Sequence, residues 1–284
     1  MTDAVKDAEI YLEAAGHVRN DPLRKGALLE FPDYGQLVMT GDLHGHRRNF
    51  ERLRKFCDLG NAAPRHVILH EIIHEDVVAL TDVDMSHEVL ASAARWKCQF
   101  PDQIHFLQSN HELAQINRHE ITKNGRVVTV GFDEGVVETY GRGAERVLEA
   151  IDTLLRSYPL AGRTPNRVFL SHSLPASRDV PSFDATVLGR EPTEDDMVDG
   201  GSAHMLVWGR YQTISALKAL ADLFDVDFFI CGHQPQEDGY DIIHDRMVIL
   251  ASDHNHGVFL PLDLNKPVTL NSLTKSIRSF AAIA

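Results

Sequence analysis

Seven apolar runs recur along the chain at the spacing of short buried strands, at residues 35–40, 65–69, 103–107, 166–170, 226–230, 247–251 and 257–264. Runs with helical periodicity separate several of them, at 4–16, 47–56, 86–97, 145–156 and 213–224. Alternation of this kind predicts an α/β architecture. No repeat, low-complexity block or Gly/Ser linker interrupts it, so the pattern predicts a single domain over 1–284 with a leading helical segment at 1–34. The stretch 113–143, rich in Gly, Asn and charge, reads as a loop or cap insertion, and 178–199 and 234–241 as Pro- and acid-rich loops.

The ends of the strands carry the informative residues. Five apolar runs stop in polar clusters: Asp42-Leu43-His44-Gly45-His46, His70-Glu71, Asn110-His111-Glu112, Ser171-His172-Ser173 and Gly232-His233. In open α/β sheets ligands bind beyond the carboxyl ends of strands, so these clusters are expected to converge on one site. A lone histidine after a strand is more often a cap or loop residue than a ligand. Five in register reverse that preference.

Composition narrows the ligand class. With 28 basic and 41 acidic residues the formal charge is −13, which argues against nonspecific nucleic-acid binding and against an anionic membrane surface. Hydrophobic residues make up 43% of the chain, enough for a sizeable core. Cys57, Cys98 and Cys231 have no metal-like spacing and read as buried thiols of a reducing compartment. The start, MTDAVKDAEIYLEAA, has no apolar signal region, and a cytoplasmic location is expected. The 16 histidines are the outlying number. Asp, Asn, Glu and His together suit Mn, Fe or Zn rather than a soft-metal thiolate site. Two such ions about 3.5–4 Å apart can activate water and stabilise in-line displacement at phosphorus.

The residues Gly41-Asp42-Leu43-His44-Gly45, Asn110-His111-Glu112, His172 and Gly232-His233 resemble the ordered motifs of the calcineurin-like metallophosphoesterases, particularly their phosphoprotein-phosphatase branch. Leu206-Val207-Trp208-Gly209-Arg210 and Ser252-Asp253-His254-Asn255 also resemble that branch, and the likeness spans about residues 35 to 262. The resemblance implies a four-layer α/β/β/α sandwich with two facing mixed sheets. It also implies a centre of two divalent metal ions that hydrolyses a phosphomonoester of phosphoprotein or nucleotide type by hydroxide attack. Asp42 and His44 would hold one ion, and Asn110, His172 and His233 the other, with Glu71 bridging. His111 would be the general acid, and Glu112 would support its turn.

The second motif departs from the family pattern. Where a Gly-Asp pair followed after two residues by Asp-Arg-Gly belongs, this chain has His70-Glu71-Ile72-Ile73-His74-Glu75-Asp76. His74 then replaces the aspartate that orients the general acid and is expected to pair with His111. Glu75 replaces the arginine that grips phosphate, which sets a negative charge beside a negative substrate. Arg47, Arg48 and Arg210 are candidate replacements, since guanidinium pairs bidentately with phosphate, and His46 and His254 are candidate site-lining residues. For Arg47 and Arg48 a solvated helix face is an equal reading.

Two other functions fit parts of this sequence. A phosphatase-like binding protein with weakened turnover would explain the altered motif. His70-Glu71-Ile72-Ile73-His74 also spells His-Glu-x-x-His, which on a helix binds zinc in metalloproteases. The remaining histidines, His17, His66, His87, His105, His119, His204, His244 and His256, are expected at the surface.

Overall fold

The computed structural model describes residues 3–62, 64–76, 83–123 and 125–283. Its strands in chain order are β1 (Arg24–Lys25), β2 (Leu28–Glu30), β3 (Gln36–Thr40), β4 (Arg65–Leu69), β5 (Ile104–Phe106), β6 (Thr122–Lys123) and β7 (Arg126–Val127), then β8 (Ala161–Arg163), β9 (Val168–Ser171), β10 (Phe228–Cys231), β11 (Tyr240–Ile243), β12 (Met247–Leu250), β13 (Val258–Asp263) and β14 (Arg278–Ser279). One mixed sheet has the order β1-β2-β8-β9-β10-β12-β11 and a second the order β14-β13-β3-β4-β5, while β6 and β7 form a separate hairpin.

The two sheets face each other across an apolar layer. Leu37, Met39, Ile68 and Leu260 from one meet Val168, Leu170, Ile230 and Val248 from the other, all buried. Such strands are buried on both faces, which is why they read as continuous apolar runs rather than as alternating ones. Helices cover the outer faces. Against the second sheet lie α1 (Ala4–Arg19), α2 (Arg47–Cys57), α3 (His87–Gln99), α5 (Val128–Tyr140) and α6 (Ala144–Leu155), while α7 (Ser202–Trp208) and α8 (Ile214–Phe224) pack on the first. The result is an α/β/β/α sandwich. The short α4 (Asn110–Asn117) follows β5, and α9 (Leu270–Ser276) precedes β14.

The structure refines several boundaries. Residues 113–143 hold the rest of α4, the β6–β7 hairpin and the thirteen-residue α5, so most of this stretch is regular. Part of 234–241 pairs as the edge strand β11, whose Tyr240 lies opposite Leu250. Among the described residues no helix is long and apolar enough to cross a membrane. Cys57 and Cys231 are buried free thiols, but Cys98 is only partly covered.

Candidate metal centre

Each strand of the sandwich's middle delivers one or two polar residues to a single place. Asp42 and His44 follow β3, His70 and Glu71 follow β4, Asn110 and His111 open α4 just beyond β5, His172 follows β9 and His233 follows β10. A bridge between Asp42 and Ala251 ties the two sheets together at this edge. The backbone is bent sharply here: His44, Glu71, His74 and His233 all have positive φ, at 41°, 46°, 64° and 70°. Non-glycine residues take that conformation only when their surroundings enforce it, and such positions gather at functional sites. Gly232 is required for a steric reason, because a Cβ there would run into Asp42 Oδ1 and the His70 ring.

Asp42, His44, Glu71, Asn110, His111 and His233 line a cavity of about 340 Å³ with Asp76, Lys123, Arg210 and Asp253, and His70 and His172 lie buried behind it. Two buried groups, Asp42 with His70 and His172, and His44 with Glu71 and His111, bring their ligand atoms within 4.8 Å of one another.

Hydrogen-bond polarity tests whether these residues fit a cation. The carbonyl oxygens of Thr40 and Ile73 can only accept, so His70 donates through Nε2 to Thr40 O at 2.9 Å and His44 through Nδ1 to Ile73 O at 3.0 Å. Neutral His70 then offers a lone pair on Nδ1 to the Nδ1–H of His172 at 3.0 Å. That leaves His172 Nε2 as a lone pair 2.6 Å from Asn110 Oδ1 and 3.0 Å from Glu71 Oε2. Glu71 Oε2 is buried with no hydrogen-bond donor and faces that lone pair, while the only donor beside Asn110 Oδ1 and His172 Nε2 among the described residues is His233 Nδ1–H, at 3.0 and 3.1 Å. Apolar packing does not produce that arrangement, and a positive ion resolves it. The donor set therefore fits divalent metal. His233 is the exception, since Arg210 Nε donates to its Nε2 at 2.9 Å and its Nδ1 faces Asn110 Oδ1 at 3.0 Å.

Electrostatics follow from the same crowding. Burial and the neighbouring Glu71 push Asp42 well above the ordinary carboxylate range. Burial opposes ionisation of Glu71 as well, yet the rings around it, His172 and His111 foremost, hold it well below that range. Burial lowers His111 strongly and brings His74 to about 3, so both rings are neutral. Against the pull of burial, Glu71 raises His44 to about 9, and a proton there does part of what a bound cation would do.

The expected second-rank residues are distributed unevenly. His74 Nδ1 lies 2.8 Å from His111 Nδ1. Glu112 accepts from Ile72 N–H at 2.7 Å and from the Ser109 hydroxyl, which pins the start of α4 to the loop after β4. Arg210 lines the cavity. His46, Arg47, Arg48 and Glu75 line a different cleft, where Arg47 pairs with Glu88. Glu75 therefore does not place its charge among the cavity-lining groups. His254 donates to Gln236 O at 2.9 Å and is not among the cavity-lining residues.

Two lining residues are not among the candidate site residues of the sequence. Lys123, on β6, reaches within 3.3 Å of His44 Nε2 and 3.2 Å of Asp76 Oδ1. Its sequence signal is only the Asn-Gly turn at 124–125, which marks a hairpin but not where the hairpin points. Asp253, part of the Ser252-Asp253-His254-Asn255 run, borders the cavity with a buried Oδ1 that has no hydrogen-bond partner.

The His-Glu-x-x-His alternative needs a helix, and residues 70–76 form none. His70 turns to Thr40 and His172, whereas His74 turns to His111 and Gln115, so the two do not share a zinc-binding face.

No protein-family model matches the chain. It is 21% identical over 242 residues to a serine/threonine-protein phosphatase of Caenorhabditis elegans, covering 78% of this chain and 48% of that protein. A probable serine/threonine-protein phosphatase of Encephalitozoon cuniculi is 22% identical over 239 residues, 76% of this chain and 46% of that protein. The chain thus spans about half the length of the curated relatives it matches. Among solved structures, a protein serine/threonine phosphatase from Saccharomyces cerevisiae, described as similar to human phosphatase PP5, superposes over 100% of this chain and 91% of that one, with a TM-score of 0.70 and 15% identity. The fold is that of a phosphoprotein-phosphatase-like metallophosphoesterase. This phosphatase-like fold is shared more distantly by a cold-active protein-tyrosine phosphatase of a Shewanella species, which has a TM-score of 0.58 and 15% identity over 93% of this chain and 84% of that one.

Proposed function

We propose that this protein is a metal-dependent phosphoesterase that hydrolyses phosphomonoesters on phosphorylated protein side chains. The observation that carries the proposal is Glu71 Oε2, buried without a donor and 3.0 Å from the lone pair of His172 Nε2. Asp42, His44, Glu71, Asn110 and His172 would hold divalent ions, and His233 would join them on releasing Arg210. Such ions, Mn, Fe or Zn, supply Lewis acidity that polarises a phosphoryl group and acidifies water.

The chain's own residues do the rest. Arg210 and Lys123 border the cavity, and their charges offset Asp42, Glu71 and Asp253 for an incoming dianion. His111 Nε2, 3.8 Å from Glu71 Oε1, is placed to protonate the leaving oxygen. A neighbouring groove of about 530 Å³ shares Arg210 and is lined by Trp208, Tyr211, Met205 and Arg178, which gives room for residues flanking a phosphorylated side chain. The names of the relatives support the same substrate class.

Turnover of para-nitrophenyl phosphate with added manganese tests this reading. Activity that falls about 100-fold or more in His111→Ala, with metal content unchanged, is the expected outcome. Bound metal without turnover on that ester or on any phosphopeptide would replace the enzyme with a phosphatase-like binding protein.

A further inference from the structure

His111 is held by a hydrogen-bonded chain that runs away from the cavity through His74 to residues outside every motif discussed above. His111 Nδ1 lies 2.8 Å from His74 Nδ1, His74 Nε2 lies 2.9 Å from Gln115 Oε1, and Gln115 Nε2 donates to Asp133 Oδ1 at 2.7 Å. Arg118 closes the chain by donating to Asp133 Oδ2 at 2.6 Å. Gln115 and Arg118 sit on and just after α4, and Asp133 sits on α5.

The far end fixes the direction of every bond. A carboxylate paired to arginine only accepts, so Gln115 must turn its NH₂ toward Asp133 and its oxygen toward His74. An amide oxygen also only accepts, so His74 carries its proton on Nε2 and presents a lone pair on Nδ1. The bond between the two imidazoles can then form in one sense only, with His111 Nδ1–H donating. His111 Nε2 is left facing the cavity.

We infer that Gln115 and Asp133 are positioning residues that set the tautomer and ring orientation of His111 through His74. The inference rests on the phosphoesterase reading for its catalytic consequence. In each turnover His111 takes a proton from solvent onto Nε2 and gives it to the leaving oxygen as the P–O bond breaks and the bonding pair moves to that oxygen, while its own Nδ1–H stays hydrogen-bonded to His74 Nδ1. In this chain a directed amide and a distant carboxylate do through a second imidazole what a carboxylate beside the general acid would do directly. Asp133→Asn removes the direction, because an asparagine NH₂ accommodates Gln115 turned end for end, and the reversed chain places a proton on His111 Nε2 of the neutral ring.

The test pairs a spectroscopic readout with a rescue. Nitrogen-15 NMR of histidine-labelled protein, with resonances assigned through His111→Gln and His74→Gln, is expected to show His111 protonated at Nδ1 in the wild type and shifted toward Nε2–H in Asp133→Asn. In steady-state kinetics Asp133→Asn lowers kcat on para-nitrophenyl phosphate about 100-fold with KM little changed. Adding Gln115→Glu, which restores an obligatory acceptor beside His74, recovers most of both signals. A wild-type His111 protonated at Nε2 overturns the inference, as does an Asp133→Asn protein with unaltered tautomer, or a kcat loss that Gln115→Glu fails to recover in a folded protein. If the wild type lacks turnover altogether, the function reading falls, and the NMR still decides the inference.

Discussion

Around Asp21, every polar partner is complementary. Lys97 Nζ donates to Asp21 Oδ2 at 3.2 Å and to the carbonyls of Pro101 and Ile104, His105 Nδ1 donates to Asp21 Oδ2 at 2.8 Å, and His66 Nδ1 lies 3.0 Å from His105 Nε2. Around Glu71 histidines and carboxylates are buried as well, but Glu71 Oε2 has no donor and faces the lone pair of His172 Nε2. Buried polar groups in a folded protein normally find partners, so the first cluster is structural and the second has the form of a ligand site. Richness in histidine does not separate them. Hydrogen-bond polarity does.

The comparison breaks most visibly under substitution. Asp42→Asn is expected to abolish metal retention and to reduce phosphoesterase activity by more than about 100-fold, since even outer partners of metal ligands cost 10–100-fold. It should leave the metal-free protein as stable as before, because it relieves crowding of Asp42 with Glu71, and urea unfolding of chelated protein checks this. Asp21→Ala should do the reverse. Stranding Lys97 in the interior costs about 3 kcal/mol in urea unfolding, with metal binding per folded chain intact.

Acid sharpens the same contrast. Burial holds His66 down at about 4, so between pH 6.5 and 4 the unfolded chain takes up a proton that the folded chain refuses, and stability declines as pH falls. Asp21 is brought to about 2: burial opposes this, and the hydrogen bond and charge of His105 with the charge of Lys97 outweigh it. Its contribution, about 2 kcal/mol, is complete above pH 4 and is lost between pH 4 and 2. Chelated protein monitored by denaturant unfolding across this range should lose stability steadily, and Asp21→Asn should remove the lower step. The smallest effect belongs to Lys123→Met, which should weaken competitive inhibition by inorganic phosphate about tenfold while leaving metal affinity within a factor of two to three.

Much of the sandwich was legible in the sequence, for a physical reason. β3, β4, β10 and β12 are buried on both faces and so spell unbroken apolar runs. β1, β2, β8 and β14 have only two or three residues, too few for a period to emerge. The helix α5, Val-Thr-Val-Gly-Phe-Asp-Glu-Gly-Val-Val-Glu-Thr-Tyr, is rich in β-branched residues and glycine, and burial of Phe132 and Val136 overrides that propensity. At the site, residues that follow strands were legible because the chain order of the motifs is local information. Lys123, Gln115 and Asp133 were not, since their roles depend on where a hairpin and two helices pack. His66, His87 and His105, expected at the surface, are buried, because His66 and His105 pair with each other, and Asp21 and Thr139 supply partners to His105 and His87 from distant sequence.

Isothermal titration of the metal-free protein with manganese and zinc tests the central claim most directly, run side by side on the wild type, Asp42→Asn and Asp21→Asn. Saturable binding to the wild type and to Asp21→Asn, lost in Asp42→Asn, is the predicted result. A wild type that takes up neither metal, or an Asp42→Asn protein that binds as the wild type does, would contradict it.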